Sequence, residues 1–566
     1  MKRYDRFSGR PLVRRACVGA IAAALAFFVL SKSSIASGTA FPPCILAGIA
    51  YSMMVPPLRN AWLNQAMTGA VLGFPVWGLL LLFRSARGMQ WTAESMRTDL
   101  PALVAGVLFG ALTGALVQAL TQLAERYLGP EEMPAPAPSG AMKRIVILGG
   151  GFAGMKTAEY LEQYLEAQSS VVITLVSETN SLLFTPMLAE VAGSSLEPSH
   201  ISAPLRSSLR QTQFMRARVT GIDLDQRRVV LDSMDGGAPG SAEYDCLVLA
   251  LGGVSNYLGM KDVERLSFGF KSLLDAIRIR NHTIEMFERA DRESDSDTRR
   301  KLLTFVIAGG GFAGVELAGA LNDFSRGILA DYRNVQTSDV QIILVHSHDR
   351  ILPELTETLA HYARKKMEER GVVFRLKARV QGVTPESIEI SDGTIDSHTL
   401  VWTAGTSPNP ILGSMPVEKD KRGAVIVDNA LAVLNYPGVW ALGDCASVTD
   451  AKTGLKSPPT AQFALRQART VAKNISAHLS NGVQEAFHFD SLGSLCVVGY
   501  QTACAELSVP FTRSGILQFS GLSAWLLWRG IYLSKLPGLE RKIRVLMNWI
   551  LELFFPRDVV QTIDLS

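Results

Sequence analysis

Apolar residues crowd together along the first 128 positions. From residue 143 onward they break into short blocks spaced by polar, helix-period stretches. Three of the early runs, 13–32, 64–84 and 100–121, approach the length of about 20 residues that a bilayer requires, so the pattern predicts spanning helices there. A fourth, 41–57, is interrupted by Pro42, Pro43, Pro56 and Pro57 and reads as a short span or a re-entrant segment. Residues 1–128 are thus read as an all-α transmembrane region. From Gly129 to Gly140 the prolines Pro130, Pro134, Pro136 and Pro138 forbid a helix interior or a central strand, and 129–142 is read as a tether. Beyond it, apolar strands alternate with helical patterns, which predicts an α/β chain with parallel, doubly wound sheets.

Within that soluble region the same short phrase occurs twice. Ile145–Gly154 (IVILGGGFAG) and Phe305–Gly314 (FVIAGGGFAG) differ at two positions and lie about 160 residues apart. A glycine-rich loop alone is weak evidence, but each copy follows an apolar strand and opens a helix. In such a loop Gly149 and Gly309 permit the tight turn. Gly151 and Gly311 let backbone approach a pyrophosphate, with Phe152 and Ala153 starting the first helix. Gly154 and Gly314 allow helix to pack on strand. The free N–H groups and positive dipole end of the helix then favour phosphate. Two Rossmann-type dinucleotide sites in one chain are the expectation.

Each unit needs a second strand ending in a group for the ribose. In the first, Val171–Val176 leads to Ser177 and Glu178, with Glu178 one place later than usual. In the second, Val340–Val345 leads to His346-Ser347-His348-Asp349, so no acid holds the usual place and a 2′-phosphate is admitted. Two further strand ends complete the first site: Tyr244–Gly253, with Gly252 in its small-residue end, and Val439–Ala446, with Asp444 on a glycine turn. An ordinary turn Asp is the plainer reading of any single Gly-Asp.

Charge and cysteine content narrow the partners. A net charge of +4 over 566 residues gives no reason to expect nucleic acid, but Lys2, Arg3, Arg6, Arg10, Arg14 and Arg15 precede the first apolar run. That basic start places the N-terminus on the cytoplasmic side. Arg84, Arg87 and Arg97 disagree with a four-helix count, and the nucleotide chemistry decides for a cytoplasm-facing catalytic domain. The six cysteines contain no C-x-x-C and lack histidines at metal-ligand spacing, so neither a redox disulfide nor a metal is expected.

With these residues in view, the chain from about 143 to 566 resembles the type II NADH:quinone oxidoreductases, members of the two-dinucleotide flavoproteins. The resemblance rests on both glycine loops, the Gly314–Gly319 continuation (GVELAG), Leu183–Ala192 (LFTPMLAEVA), Trp402–Gly405 (WTAG), Ala441–Ala446 (ALGDCA) and Ala461-Gln462. It implies FAD in a discontinuous unit, 143–299 and 400–480, on Gly149, Gly151, Gly154, Glu178 and Asp444. NADH, with NADPH admitted, falls in an inserted unit, 300–399, on Gly309, Gly311, Gly314 and Glu316. His346 stands where the family carries an acid. The resemblance also implies a proton-relaying role for Glu316 and places Gln462 beside a quinone pocket. The duller alternatives are a helix-start glutamate and an exposed helix glutamine.

The C-terminal region, 481–566, adds a separate signal. Trp525, Trp528 and Tyr532 are aromatics suited to a bilayer interface, and after Pro537-Gly538 the residues Leu539, Ile543, Leu546, Met547, Ile550 and Phe554 recur at helical spacing. Arg541, Lys542 and Arg544 occupy other faces, so an amphipathic helix lying on the membrane is expected, with packing on the protein's own core as the alternative. The partners expected are therefore a membrane quinone and the lipid bilayer, at the inner (cytoplasmic) membrane, with a homodimer admitted. Few acids interrupt the N-terminal helices, so no proton pumping is expected. The competing functions are a redox-sensing flavoprotein and a sulfide:quinone oxidoreductase, the latter needing two cysteines beside the flavin.

Overall fold

The computed structural model describes residues 9–32, 66, 69, 93–128 and 142–561, apart from 167–169, 235, 237–238 and 509–515. It divides into two compact units, Met1–Ala135 and Pro136–Ser566.

In the first unit, helices α1 (Gly9–Lys32) and α2 (Ala93–Leu128) pack together. Ala22, Ala23 and Ala26 let the backbones approach, and Phe27 and Val117 are buried beside them. No described helix is long and apolar enough to cross a membrane. The expected spans 13–32 and 100–121 fall within α1 and α2. The segments 41–57 and 64–84, apart from Ala66 and Gly69, lie outside the described residues, as does the tether up to Ala141.

The second unit is built on two sheets. The strands of the first are β1 (Lys143–Leu148), β2 (Val171–Ser177), β3 (Gln213–Asp223), β4 (Arg228–Ser233), β5 (Gly240–Glu243), β6 (Cys246–Leu249) and, returning much later, β12 (Val439–Ala441). Their order is β12-β6-β1-β2-β3-β4-β5. The four strands around β1 run parallel and are apolar on both faces, since helices cover them. Helix α3 (Phe152–Tyr164) follows β1, and the short α4 (Leu188–Ala192) and long α5 (Leu273–Arg292) lead into the second sheet.

That sheet is parallel throughout, with order β7-β11-β8-β9-β10. Its strands are β7 (Phe268–Gly269), β8 (Thr304–Ala308), β9 (Gln341–His346), β10 (Val372–Leu376) and β11 (Thr399–Trp402). Helix α6 (Phe312–Gly327) follows β8 as α3 follows β1. The chain leaves the first sheet after β6, completes the second, and returns through β12 and helix α7 (Ala461–Leu479), which packs on α3.

The C-terminal region is an antiparallel hairpin and third strand, β13 (Gly493–Gly499), β14 (Thr502–Ser508) and β15 (Ile516–Gly521), then α8 (Leu522–Lys535) and α9 (Leu539–Leu551). Its aromatics depart from the expected interface placement. Trp525 and Trp528 do not face outward; they are 6% and 2% exposed, with Trp528 against Tyr532 and Trp549. Burying such a side chain is worth about 2–3 kcal/mol, so aromatics within reach of a core go into it. Helix α9 likewise divides its apolar residues. Val545 and Trp549 face inward, while Met547 and Leu551, and Leu553, Phe554 and Phe555 just beyond, stay exposed.

Candidate functional site

The two glycine loops have the same geometry. Gly149 and Gly309 take φ of +108° and +124°, which a side chain would strain, and each donates its N–H to the neighbouring strand, to Val176 O and Val345 O. A Cβ at Gly154 would overlap Gly149 O, and one at Gly314 would overlap Gly309 O, so the third glycine is what lets each helix start so close to its own strand. The middle glycine differs in kind. A Cβ at Gly151 would meet nothing within 4 Å, and at Gly311 only Glu354 Oε1 at 3.6 Å. That side of each loop is open. Gly151 and Gly311 are the N-caps of α3 and α6; neither helix start has a side-chain cap or a first-turn acid. The first N–H groups are therefore left for an outside acceptor, at the positive end of the helix.

Around the first loop the fold gathers the remaining expected residues. Gly443 (φ +74°) sits so that a Cβ would lie 3.3 Å from Ala153 Cβ, placing the Gly443-Asp444 turn against the start of α3. A Cβ on Gly253 would lie 3.4 Å from Asp444 Cβ, so the Gly252-Gly253 strand end reaches the same place, with Gly252 at φ +65°. Glu178, beyond the end of β2, is exposed and pairs with Arg218 Nε at 3.4 Å. Phe152 stacks edge-on against Phe184, 5.8 Å between ring centres. Two residues here escaped sequence reasoning. Lys271 Nζ pairs with Asp444 Oδ2 at 3.1 Å, and the buried Gln467 accepts the Gly443 N–H through Oε1 at 2.8 Å. Gln467 lies on α7 five residues after Gln462, itself partly exposed in the first turn of that helix. The only signal for Gln467 was a polar residue on the apolar face of an amphipathic helix.

At the second loop His346 closes the end of β9. Its Nδ1 accepts the Gly310 N–H at 3.0 Å, so its Nε2 carries the proton, buried and without a hydrogen-bond partner. Burial also lowers its pKa, which keeps the ring neutral. The imidazole ring thus supplies no acceptor to a ribose hydroxyl.

Glu316, on the second turn of α6, lies among C-terminal residues rather than at the surface. Oε1 accepts the Val497 N–H at 3.4 Å, and desolvation raises its pKa to about 8. A helix-start role leaves that contact unexplained. Cys445 is fully buried, donates towards Leu249 O and Leu442 O, and burial pushes its thiol up to about 11. Among the described residues the cysteines are all free.

These features coincide with the reach of known families. The sequence model of the pyridine nucleotide-disulphide oxidoreductases matches residues 143–468, and that of the NDH2 C-terminal domain matches 491–558. A type II NADH:quinone oxidoreductase, Ndh, of Mycobacterium tuberculosis is 32% identical over 438 residues, covering 75% of this chain and 90% of the relative. The chain belongs to the type II NADH:quinone oxidoreductases. A probable NADH dehydrogenase of Dictyostelium discoideum is 32% identical over 432 residues, covering 74% of this chain and 91% of that one. Among solved structures, NDH2 of Plasmodium falciparum in complex with NADH superposes with a TM-score of 0.67 at 18% identity, over 74% of this chain and 100% of that one. The sulfide:quinone oxidoreductase of Aquifex aeolicus gives 0.56 at 17% identity, over 73% and 95%. At such identities both likenesses speak for the fold alone. As a type II NADH:quinone oxidoreductase the chain carries, before its catalytic domain, the α1–α2 unit, which both family models leave out.

Proposed function

We propose that this chain oxidises NADH by hydride transfer to FAD and passes the electrons to a membrane quinone, without pumping protons. The observation that carries the reading is the pair of open, uncapped glycine loops, each at the carboxyl end of a parallel sheet. They suit the pyrophosphates of two dinucleotides. FAD would lie on Gly149, Gly151, Phe152, Ala153 and Gly154, with Glu178 at its ribose and Asp444 and Gly252 along the chain to the ring. Its isoalloxazine supplies the two-electron chemistry. The nucleotide would lie on Gly309, Gly311 and Gly314, with His346 at the adenosine ribose. The chain's own work is then to align the two ligands, exclude water and handle one proton. Gln467 fixes the Gly443 turn, and Lys271 neutralises Asp444 and holds it in place. Glu316, just beyond the second loop, holds a proton at neutral pH; Gln462 borders the quinone side.

For the acceptor we place the exposed Leu522, Leu526, Met547, Leu551, Leu553, Phe554 and Phe555, with Lys542 and Arg544 nearby, against a lipid surface. An amphipathic face of that kind lies on a bilayer and does not span it. The domain limits that go with this reading are 143–299 and 400–480 for FAD, 300–399 for the nucleotide and 481–566 for the membrane-facing region. The test is steady-state oxidation of NADH and NADPH by the purified yellow protein, with and without a soluble ubiquinone analogue. Quinone-dependent loss of nucleotide supports the reading. Flavin bleaching without turnover on quinone rejects it in favour of a redox sensor.

A further inference from the structure

Behind Glu316 lies a buried cluster of charge that the proposed reaction leaves without a role. Helix α4 packs on α6, and a Cβ at Gly193 would sit 2.9 Å from Ala320 O. Arg557, in the C-terminal tail, pins the two helices together by donating to Gly193 O (2.9 Å) and Ala320 O (3.3 Å). Into this junction α4 sends Glu190, α6 sends Glu316 and Asp323, α8 sends Arg529, and the end of α9 sends Glu552. Arg557 and Arg370 complete the set.

The ion pairs leave two carboxyls over. Glu552 binds Arg529 at 3.0 Å and Arg557 at 2.9 Å; Asp323 binds Arg370 at 3.1 Å. Glu190 has the Trp549 indole N–H on Oε2 at 3.1 Å, and Glu316 has the Val497 N–H. The Trp528 indole N–H, buried and without a bond of good geometry, approaches Glu316 as well. The other groups facing Glu316 are Tyr532 and Cys496, both acids in their own right held neutral by burial. Asp323 and Arg370, nearer the solvent, neutralise each other, and of the rest three carboxyls face two arginines. A buried cluster resists net charge, so one proton stays on a carboxyl, and the two without an ion pair are its natural holders.

We infer that Glu190 and Glu316 share one buried proton, and that Glu190 acts through Glu316 as the positioning residue that passes it from the Glu552–Arg557 rim towards the quinone. The inference rests on the quinone-reductase reading. The stoichiometry asks for such a proton: NADH + H⁺ + quinone gives NAD⁺ + quinol. The nucleotide supplies both electrons and one hydrogen as hydride, and water must supply the other as a proton. Burial, with the Glu552 charge beside it, raises Glu190 to about 7, and burial, with the Glu190 charge beside it, raises Glu316 to about 8, so both exchange protons near neutral pH.

The test compares wild-type holoprotein with Glu190→Gln and Glu190→Asp. Infrared pH titration of the protonated-carboxyl C=O stretch should show two steps between pH 6 and 9 in wild type and one in Glu190→Gln. Quinone-dependent kcat of Glu190→Gln should fall at least tenfold with KM for NADH within twofold, and its alkaline limb should move. Glu190→Asp should recover most of both. An unchanged titration, an unchanged pH profile, or a kcat loss that Glu190→Asp does not relieve overturns the inference. Absence of quinone turnover in wild type instead overturns the reading on which it rests.

Discussion

Replacing Glu316 by glutamine should stabilise the protein in alkali and leave it unchanged in acid. The carboxyl ordinarily titrates at 4.5 and is moved to about 8, chiefly by desolvation. A group whose folded pKa is raised contributes stability that is fully present below its unfolded value and is lost as pH rises through the folded one. For Glu316 that window runs from about pH 4.5 to about 8. At about 1.4 kcal/mol per pH unit the full loss would approach 5 kcal/mol. Glu316 keeps a partly accessible edge, so about half of that, roughly 2.5 kcal/mol, is the better figure. For a unit of this size unfolding entropy is about 0.9 kcal/mol per degree, which converts the figure to about 3 °C. Glutamine is neutral at every pH and keeps an oxygen for the Val497 N–H. Scanning calorimetry or fluorimetry from pH 5 to 9 should give melting temperatures for Glu316→Gln and wild type that coincide at pH 5 and separate by about 3 °C above pH 8.5, the variant being higher. A difference that is flat across pH, or a variant less stable at pH 9, would refute the assignment of a buried, raised carboxyl.

The two loops can be separated by the third glycine. Gly154→Ala should purify without its yellow colour, while Gly314→Ala should stay yellow but lose at least tenfold in kcat/KM for NADH, because each Cβ overlaps a carbonyl oxygen of its own loop. His346→Glu should raise the NADH-to-NADPH ratio of kcat/KM at least tenfold, since it restores a ribose acceptor and repels a 2′-phosphate; an unchanged ratio would place specificity elsewhere. The double change Phe554→Ser, Phe555→Ser should weaken sedimentation with liposomes at least thirtyfold, since each exposed phenylalanine is worth about 2 kcal/mol on burial. Undiminished sedimentation would move the lipid contact to another surface.

How far the sequence reached can be followed through particular residues. The glycine loops were legible because their chemistry is local: turn, strand end and helix start lie within ten consecutive residues. The Gly443-Asp444 turn was legible for the same reason. Lys271 and Gln467 were not, because they act on Asp444 and Gly443 from distant elements and carry no motif of their own. The pairing of α1 with α2 was not legible either, because it depends on Ala22, Ala23 and Ala26 meeting a helix about 80 residues further on.

By itself the sequence determined that two glycine-loop units exist and where each begins, since strand, turn and helix start are consecutive in the chain. The direction each amphipathic residue faces was decided only by tertiary structure. Trp528 and Trp549 have the composition of interface aromatics, yet α6, β13 and α9 close around them; Phe554 and Phe555 have the same character and remain outside. The charges of Glu190 and Glu316 were decided in the same way, because a carboxyl's protonation depends on its surroundings. Around Glu190 those surroundings are Arg529, Glu552 and Arg557, and around Glu316 they are Val497, Trp528 and Glu190, all more than 100 residues away along the chain.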